Sequence, residues 1–417
     1  MIEYSHLMSS KLFSDLEVVK SMLERESLFS YVFKILLISL QFISSKIAAS
    51  SPISKKDKKI VIFTNLYYTG NPRAVYERML EDSKLRKKYE IYWMAPQLST
   101  FFELRKKKLP VLYKHGLLSV KKYMNADLWV LAHKGAWNVP FFLQSKYKSL
   151  PKLQLWHGVG PKGIHNTQED YKIHKGWCVP SEFVKMRHIK IWNAPPNKLY
   201  VTGEAKIDHL LYLLNLPRSK LVSQIKTKVK VNPEYKFILY APTYDVKVWP
   251  WGNVKKGIDE FCEILSEKNA YLLLRLHPYY KPSEELKKII RKCRNIIDVS
   301  MSKCPDTMLV LAVSDILITD WSSIYTDFTV SQRPIIFLNV KPNYYTEQRG
   351  ESLIPPHMRP GIIVNSKEEL FDALRNIFDN KWSSDKKLEI LQFIKLVHGK
   401  VDGEASRRVI EVIEKII

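Results

Sequence analysis

The sequence predicts an α/β protein made of two Rossmann-like units facing each other across a cleft, with a helical segment ahead of them. Three observations carry this. Short apolar runs of the kind buried in parallel sheets recur along the chain, among them Lys59 to Thr64, the run starting at Lys236, and Ile316 to Thr319. Helical stretches alternate with these runs, which is the pattern of β-α-β crossovers. The alternation pauses once, near residues 213–233, where a Lys/Ser-rich helix from Arg218 to Lys230 leads into the strand at Lys236. A chain of 417 residues accommodates two domains of ordinary size, and a hydrophobic fraction of 46% supports real cores. The expected boundaries are 1–55 for the N-terminal segment, 56–215 and 216–385 for the two Rossmann-like domains, and 386–417 for C-terminal helices.

Residues 28–49 are strongly apolar but are interrupted by Lys34, Gln41 and Lys46. A spanning helix needs ~20 mostly apolar residues, and the uninterrupted stretch here is only Ile35 to Leu40. Acidic residues and a long leader before the run argue against a secretory signal. The segment therefore reads as an amphipathic, membrane-associating helix lying in the interface, with packing on the protein itself as the alternative. Ser51 to Lys59 follows as a linker, and Lys59 to Thr64 begins the first core strand. Phe101 to Met124 interleaves Arg105-Lys-Lys-Lys108 and Lys121-Lys122 with apolar residues, a second candidate for an anionic membrane surface or, more blandly, a solvated helix face.

Leu155 to Ile164 reads Leu-Trp-His-Gly-Val-Gly-Pro-Lys-Gly-Ile, directly after a short strand ending near Trp156. His157 is thus presented where a strand gives way to a loop. Gly158, Gly160 and Gly163 allow the backbone to approach a ligand closely. His157 is a candidate general base and Lys162 a candidate anion contact. Tyr240-Ala-Pro-Thr243 ends a later strand. Leu272-Leu-Leu-Arg-Leu-His277 ends another, and alternation puts Arg275 and His277 on one face. Ile316 to Thr319 is a strand and Ser323 onward a helix, so Asp320, Ser322 and Ser323 fall at the junction where free amides and hydroxyls can bind phosphate. Arg333 to Leu338 closes that β-α-β unit, and Arg349 stands beside Gly350. From Lys387 onward apolar spacing predicts helices that pack back across the domains. His115, His133, His165, His174, His188 and His209 have no supporting context and receive no role; Trp249 and Trp251 read as packing residues.

These segments, from about Leu155 to Val364, resemble the CDP-glycerol glycerophosphotransferase family of teichoic acid primases, polymerases and capsule-building relatives. The family pattern is Trp-His-Gly-Thr-Pro-Leu-Lys, Tyr-Ala-Pro-Thr, Arg-x-His-Pro, then Ile-Thr-Asp-Tyr-Ser-Ser with a following Asp-Phe, and a late Arg-Gly. This chain departs from it at Val159-Gly160-Pro161, at Gly203-Glu-Ala-Lys-Ile-Asp208 where the family has Gly-x-Pro-Arg-x-Asp, and at Asn339. The resemblance implies a GT-B fold, with an acceptor domain first and a nucleotide-donor domain second. It implies transfer of a polyol phosphate, glycerol or ribitol phosphate, from a CDP-linked donor to a lipid-linked glycan acceptor, with release of CMP at the cytoplasmic face of the membrane. In that reaction His157 takes the acceptor proton. Lys162, Arg275, His277, Asp320, Ser322, Ser323 and Arg349 hold the donor phosphates. No cofactor and no metal ion is expected, since no acidic cluster with metal spacing is visible. Asp327 matches the family aspartate, though a helix-face position explains it as well.

The net charge of +24 fits an acidic donor and an anionic membrane surface. No nucleic-acid module is legible, so no nucleic acid is expected as partner. Mean hydropathy of −0.21 excludes a polytopic membrane protein. Cys178, Cys262, Cys293 and Cys304 are scattered and suggest no disulfide framework, which suits a reducing compartment. Two other readings stay open: a GT-B glycosyltransferase using a nucleotide sugar, and a non-catalytic basic protein that binds a membrane or polyanion.

Overall fold

The computed structural model describes residues 28–49, 57–163, 166–225, 231–243, 249–277, 280, 282–345 and 350–417. Among the described residues, thirteen strands form two wholly parallel sheets. The first contains β1 (Lys59–Thr64), β2 (Tyr89–Ala95), β3 (Val111–Tyr113), β4 (Leu128–Leu131), β5 (Lys152–Gln154), β6 (Gly176–Val179) and β7 (Leu199–Val201), in the order β3-β2-β1-β4-β5-β6-β7. The second contains β8 (Lys236–Ala241), β9 (Ala270–Leu274), β10 (Ile296–Asp298), β11 (Ile316–Thr319), β12 (Ile335–Leu338) and β13 (Ile362–Val364), in the order β10-β9-β8-β11-β12-β13. Both orders are those of a doubly wound sheet, whose direction of winding reverses between its first and fourth strands. Apart from the leading lysines, β1, β4, β8 and β11 are buried throughout. That is why these strands are continuous apolar runs in the sequence.

One apolar core runs between the two sheets. Ile207 and Leu210 of the helix Ala205–Leu214 belong to the same buried cluster as Met308 and Leu311 of the helix Thr307–Val313 and Phe328 after β11. The units are therefore joined by packing as well as by chain. The final helix, Ala405–Ile416, returns to the first sheet and inserts Val409, Ile410 and Ile413 beside Val61 and Ile91. Its start is fixed by Asp208, whose carboxylate accepts from the Ala405 and Ser406 amides at 3.1 and 2.7 Å.

Residues Leu28–Ala49 form one helix, and no helix among the described residues is long and apolar enough to cross a membrane. Gln41, read above only as an interruption, is the docking point. It is fully buried, and its amide donates to the Lys114 and Gly116 carbonyls at 3.0 and 3.2 Å. The helix nevertheless leaves Ile35, Leu36, Phe42 and Ile43 exposed. It packs beside Leu117–Ser119, where Leu118 is 99% exposed.

The expectation about cysteines is corrected. Cys262 and Cys293 are disulfide-bonded with their Cα atoms 6.3 Å apart, while Cys178 and Cys304 are buried and lie outside any disulfide among the described residues. The 31-residue separation concealed that the helix Val254–Glu267 lies against the end of Glu284–Lys292. Trp249 is buried in the second core against Phe371 and fills the space over Gly257, in agreement with a packing role.

Candidate active site

His157 follows β5 by way of a strained turn. Trp156 has φ of +56°, a left-handed conformation that costs on the order of 1–2 kcal/mol for a residue with a Cβ. Three hydrogen bonds hold it there. The Gln154 side chain accepts from the Trp156 amide at 3.0 Å, and the Asn71 amide donates to the Leu155 and Trp156 carbonyls at 3.2 and 3.0 Å. Trp156 also stacks on Trp177, with ring centroids 5.4 Å apart.

The His157 ring is fixed by its surroundings. Its Nδ1 lies 3.2 Å from the Ala132 carbonyl at the end of β4. A carbonyl only accepts, so Nδ1 carries the proton and Nε2 keeps a free lone pair. His133 stacks on the ring at 4.4 Å. Desolvation first, then His133, hold the His157 imidazole below its usual range; the Ala132 carbonyl opposes them, and Lys206 and Lys162 add to the lowering in smaller measure. The ring keeps contact with solvent, and the direction of the shift favours a neutral imidazole.

The loop after His157 rests on the second unit. The Thr326 hydroxyl donates to the Val159 carbonyl at 3.1 Å, and the Ile354 amide to the Gly160 carbonyl at 3.3 Å. Gly163 bridges to Ser352. Arg187, from the first unit, donates to the Ser352 carbonyl at 2.7 Å. A Cβ on Gly160 would lie 2.7 Å from the Ser323 Cβ. Glycine here is thus required by close approach rather than by turn geometry. Gly160→Ala is expected to push the His157 loop off the Ser323 helix. Turnover should fall at least tenfold, because small displacements of positioned groups are costly. Steady-state kinetics on a variant with wild-type far-UV dichroism checks this, and unaltered turnover would contradict it.

Ser322 and Ser323 are partly exposed where β11 passes into the helix Ile324–Thr329, and Lys162 is close enough for its charge to act on both His157 and Asp320. The helix is only six residues long, so it offers free amides but little macrodipole. His157, Lys162, Ser322 and Ser323 are therefore gathered by the packed loop. His277 stands beyond the end of β9, partly exposed, and its carbonyl accepts from the Tyr280 amide. Arg349 lies outside the described residues.

Two residues expected at the phosphates direct their side chains to the protein itself. Asp320 is fully buried; its carboxylate accepts from the Thr243 amide at 3.0 and 2.9 Å and from the Thr243 hydroxyl at 2.6 Å. It fixes the Ala-Pro-Thr turn at the β8/β11 switch point. Arg275 is likewise buried. Its guanidinium donates to the Val299 and Cys304 carbonyls at 2.6 and 2.9 Å and to the Thr307 hydroxyl at 2.8 Å. Burial lowers its pKa to about 10, so it stays charged, but it braces the loop after β10 instead of facing the cleft. Strand alternation could not foresee this, because Arg275 already lies past the end of β9.

Sequence reasoning also passed over residues at the junction. Lys206 is buried, 2.8 Å from Asp327 and 3.2 Å from Glu204, and donates to the His157 carbonyl at 3.1 Å. Burial works to lower the Lys206 pKa, but Asp327 and Glu204 outweigh it and keep the amine charged. Burial first, with Glu204, pushes the Asp327 carboxyl up; Lys206 opposes this. An amine within 2.8 Å keeps the pair ionic. A second interdomain contact joins Arg73 and His209 to Asp306 at 2.7 and 2.9 Å. His209, given no role above, thus has a partner across the junction, and His133 stacks on the His157 ring. The signal for Lys206 was the Gly-x-Pro-Arg-x-Asp element, where a lysine replaces the family arginine.

Residues 46–415 match the family described as CDP-Glycerol:Poly(glycerophosphate) glycerophosphotransferase. The chain belongs to this family. As a family member it is a transferase of the teichoic acid type. A teichoic acid poly(glycerol phosphate) polymerase of Bacillus spizizenii is 24% identical over 91% of this chain and 97% of its own length. A teichoic acid glycerol-phosphate transferase of Staphylococcus aureus is 25% identical over 86% and 94%. The chain spans only 45% of a related Bacillus subtilis polymerase. A solved structure of the wall teichoic acid polymerase TagF superposes with a TM-score of 0.68 at 19% identity, covering 98% of this chain and 97% of that one. The fold is accordingly GT-B-like, as the family resemblance implied.

Proposed function

We propose that the protein transfers a polyol phosphate from a CDP-linked donor to a membrane-linked glycan or polyol-phosphate acceptor and releases CMP. The observation that carries this is the seating of His157: its Nδ1 is held at the Ala132 carbonyl, which leaves the lone pair on Nε2, in a loop packed onto Ser323 of the opposite unit. In the proposed step Nε2 accepts the proton of the acceptor hydroxyl. The hydroxyl oxygen bonds to the β-phosphorus of the donor, and the bond to the CMP oxygen breaks with its electrons. Phosphoryl transfer of this kind needs chiefly positioning and charge stabilisation. Lys162 and the hydroxyls and amides of Ser322 and Ser323 supply these, with His277 and Arg349 as further contacts. Asp320 and Arg275 act from behind, by holding Thr243 and the loop after β10.

Glycerol phosphate is the first choice of transferred group. Relatives named for glycerol phosphate and for ribitol phosphate both match at about a quarter identity, and a variant of TagF has been solved after a soak with CDPG. The exposed apolar residues of the Leu28–Ala49 helix, Leu118 beside it and the net charge of +24 support a peripheral position on an anionic membrane, at its cytoplasmic face. The test supplies membranes with labelled CDP-glycerol. Label entering the lipid extract, with CMP formed in equal amount, is the expected result. Label transfer only from a UDP- or GDP-sugar would place the protein among glycosyltransferases.

A further inference from the structure

The geometry points to Lys206 as a positioning residue that holds the His157 loop in its working shape only while the two units are docked. The assignment rests on the transfer reaction proposed above, to which it adds a part that does not touch substrate. Residue 206 grips the loop twice. Its amine donates to the His157 carbonyl at 3.1 Å. Its backbone amide donates to Asn71 at 2.9 Å, and Asn71 in turn holds the Leu155 and Trp156 carbonyls through the left-handed turn. The amine is also sealed against the loop, since a Cβ on Gly158 would lie 3.2 Å from it.

The same amine is anchored from the other side of the cleft. Asp327, on the helix that Ser323 begins, lies 2.8 Å away, while Glu204 comes from the first unit at 3.2 Å. Lys206 and Asp327 are each at most 8% exposed. An ion pair this deep is weak evidence for stability, because desolvation offsets most of its attraction. Its retention is better explained by what it fixes. If the units part, Asp327 withdraws, and the amine loses the anchor that fixes it against the His157 carbonyl. The Nδ1–H of His157 then loses its alignment with Ala132, and the lone pair on Nε2 loses its direction. One side chain thereby links domain docking to the orientation of the base.

The test uses the full chain and two readouts. The double variant Lys206→Met/Asp327→Asn removes both charges together and leaves Glu204 with His398, 3.9 Å away. The account expects a folded protein whose kcat falls about 10²-fold while KM for CDP-glycerol changes little. Nitrogen-15 NMR of the histidines, with His157 assigned by difference from His157→Ala, should show loss of the single Nδ1-protonated form. Asp327→Asn alone leaves a charge-balanced Lys206–Glu204 pair, so it decides the matter should the double variant not fold. It is expected to lower kcat about tenfold with a wild-type thermal midpoint. Wild-type kcat, or an unchanged His157 spectrum, in either folded variant overturns the assignment. Absence of CMP release by the wild-type protein would instead sink the proposed reaction, and the spectra would still decide the role of Lys206.

Discussion

His157→Ala is expected to reduce release of CMP from a CDP-polyol by ~10²–10⁴-fold, the usual contribution of a positioned general base. Donor binding should change little, because Lys162 and the Ser322–Ser323 junction remain. The pH dependence sharpens the expectation. Only the neutral imidazole accepts a proton, so the rate falls as pH drops through the His157 pKa. Desolvation, the stacked His133 and the cations Lys206 and Lys162 hold that pKa below the usual imidazole range. The acid limb of kcat/KM should therefore lie below pH ~6.5, and it should vanish in the alanine variant. An acid limb above neutrality would assign the titration to another group.

Asp306→Ala is expected to cost about 3 kcal/mol of stability and to loosen the docking of the two units. Asp306 caps the helix Thr307–Val313 by accepting from the Met308 and Leu309 amides at 3.0 and 3.3 Å, and it also receives Arg73 and His209 from the first unit. Loss of an N-cap costs about 1 kcal/mol, and loss of a hydrogen bond to a charged partner about 1.5–3 kcal/mol. The sign with pH follows from its ionisation. Burial works to raise the carboxyl, but His209 and Arg73 hold it well below the usual carboxylate range. Its contribution is thus present above the unfolded carboxylate pKa of ~3.9 and is lost as pH falls further. A lower thermal midpoint at neutral pH, with the difference from wild type shrinking in acid, is the expected result. Equal midpoints at neutral pH would contradict it.

Much of the fold was legible because parallel strands covered on both faces must be apolar throughout. Lys59–Thr64 and Ile316–Thr319 stand out for that reason, and both are strands with these bounds. The His157 loop was legible from its glycines, although the reason for Gly160 is contact with Ser323 across the cleft rather than approach of a ligand. What the sequence concealed depends on contacts far apart in the chain. Arg275 and Asp320 have the chemistry of phosphate-site residues, but each spends its hydrogen bonds on the protein. Lys206 sits in a stretch that reads as an ordinary helix start, and its importance comes from Asp327, 121 residues away. Gln41 looked like a flaw in an apolar helix and is the group that docks it.

The central claim is transfer from a CDP-linked polyol with His157 as base. The most direct test incubates the wild-type protein and His157→Ala with acceptor membranes and, separately, CDP-glycerol, CDP-ribitol, UDP-sugars and GDP-sugars, and measures the nucleotide released. The account predicts CMP from one CDP-polyol with the wild-type protein and a loss of at least ~10²-fold in the variant. UDP or GDP in place of CMP, or equal CMP release by the variant, would contradict it.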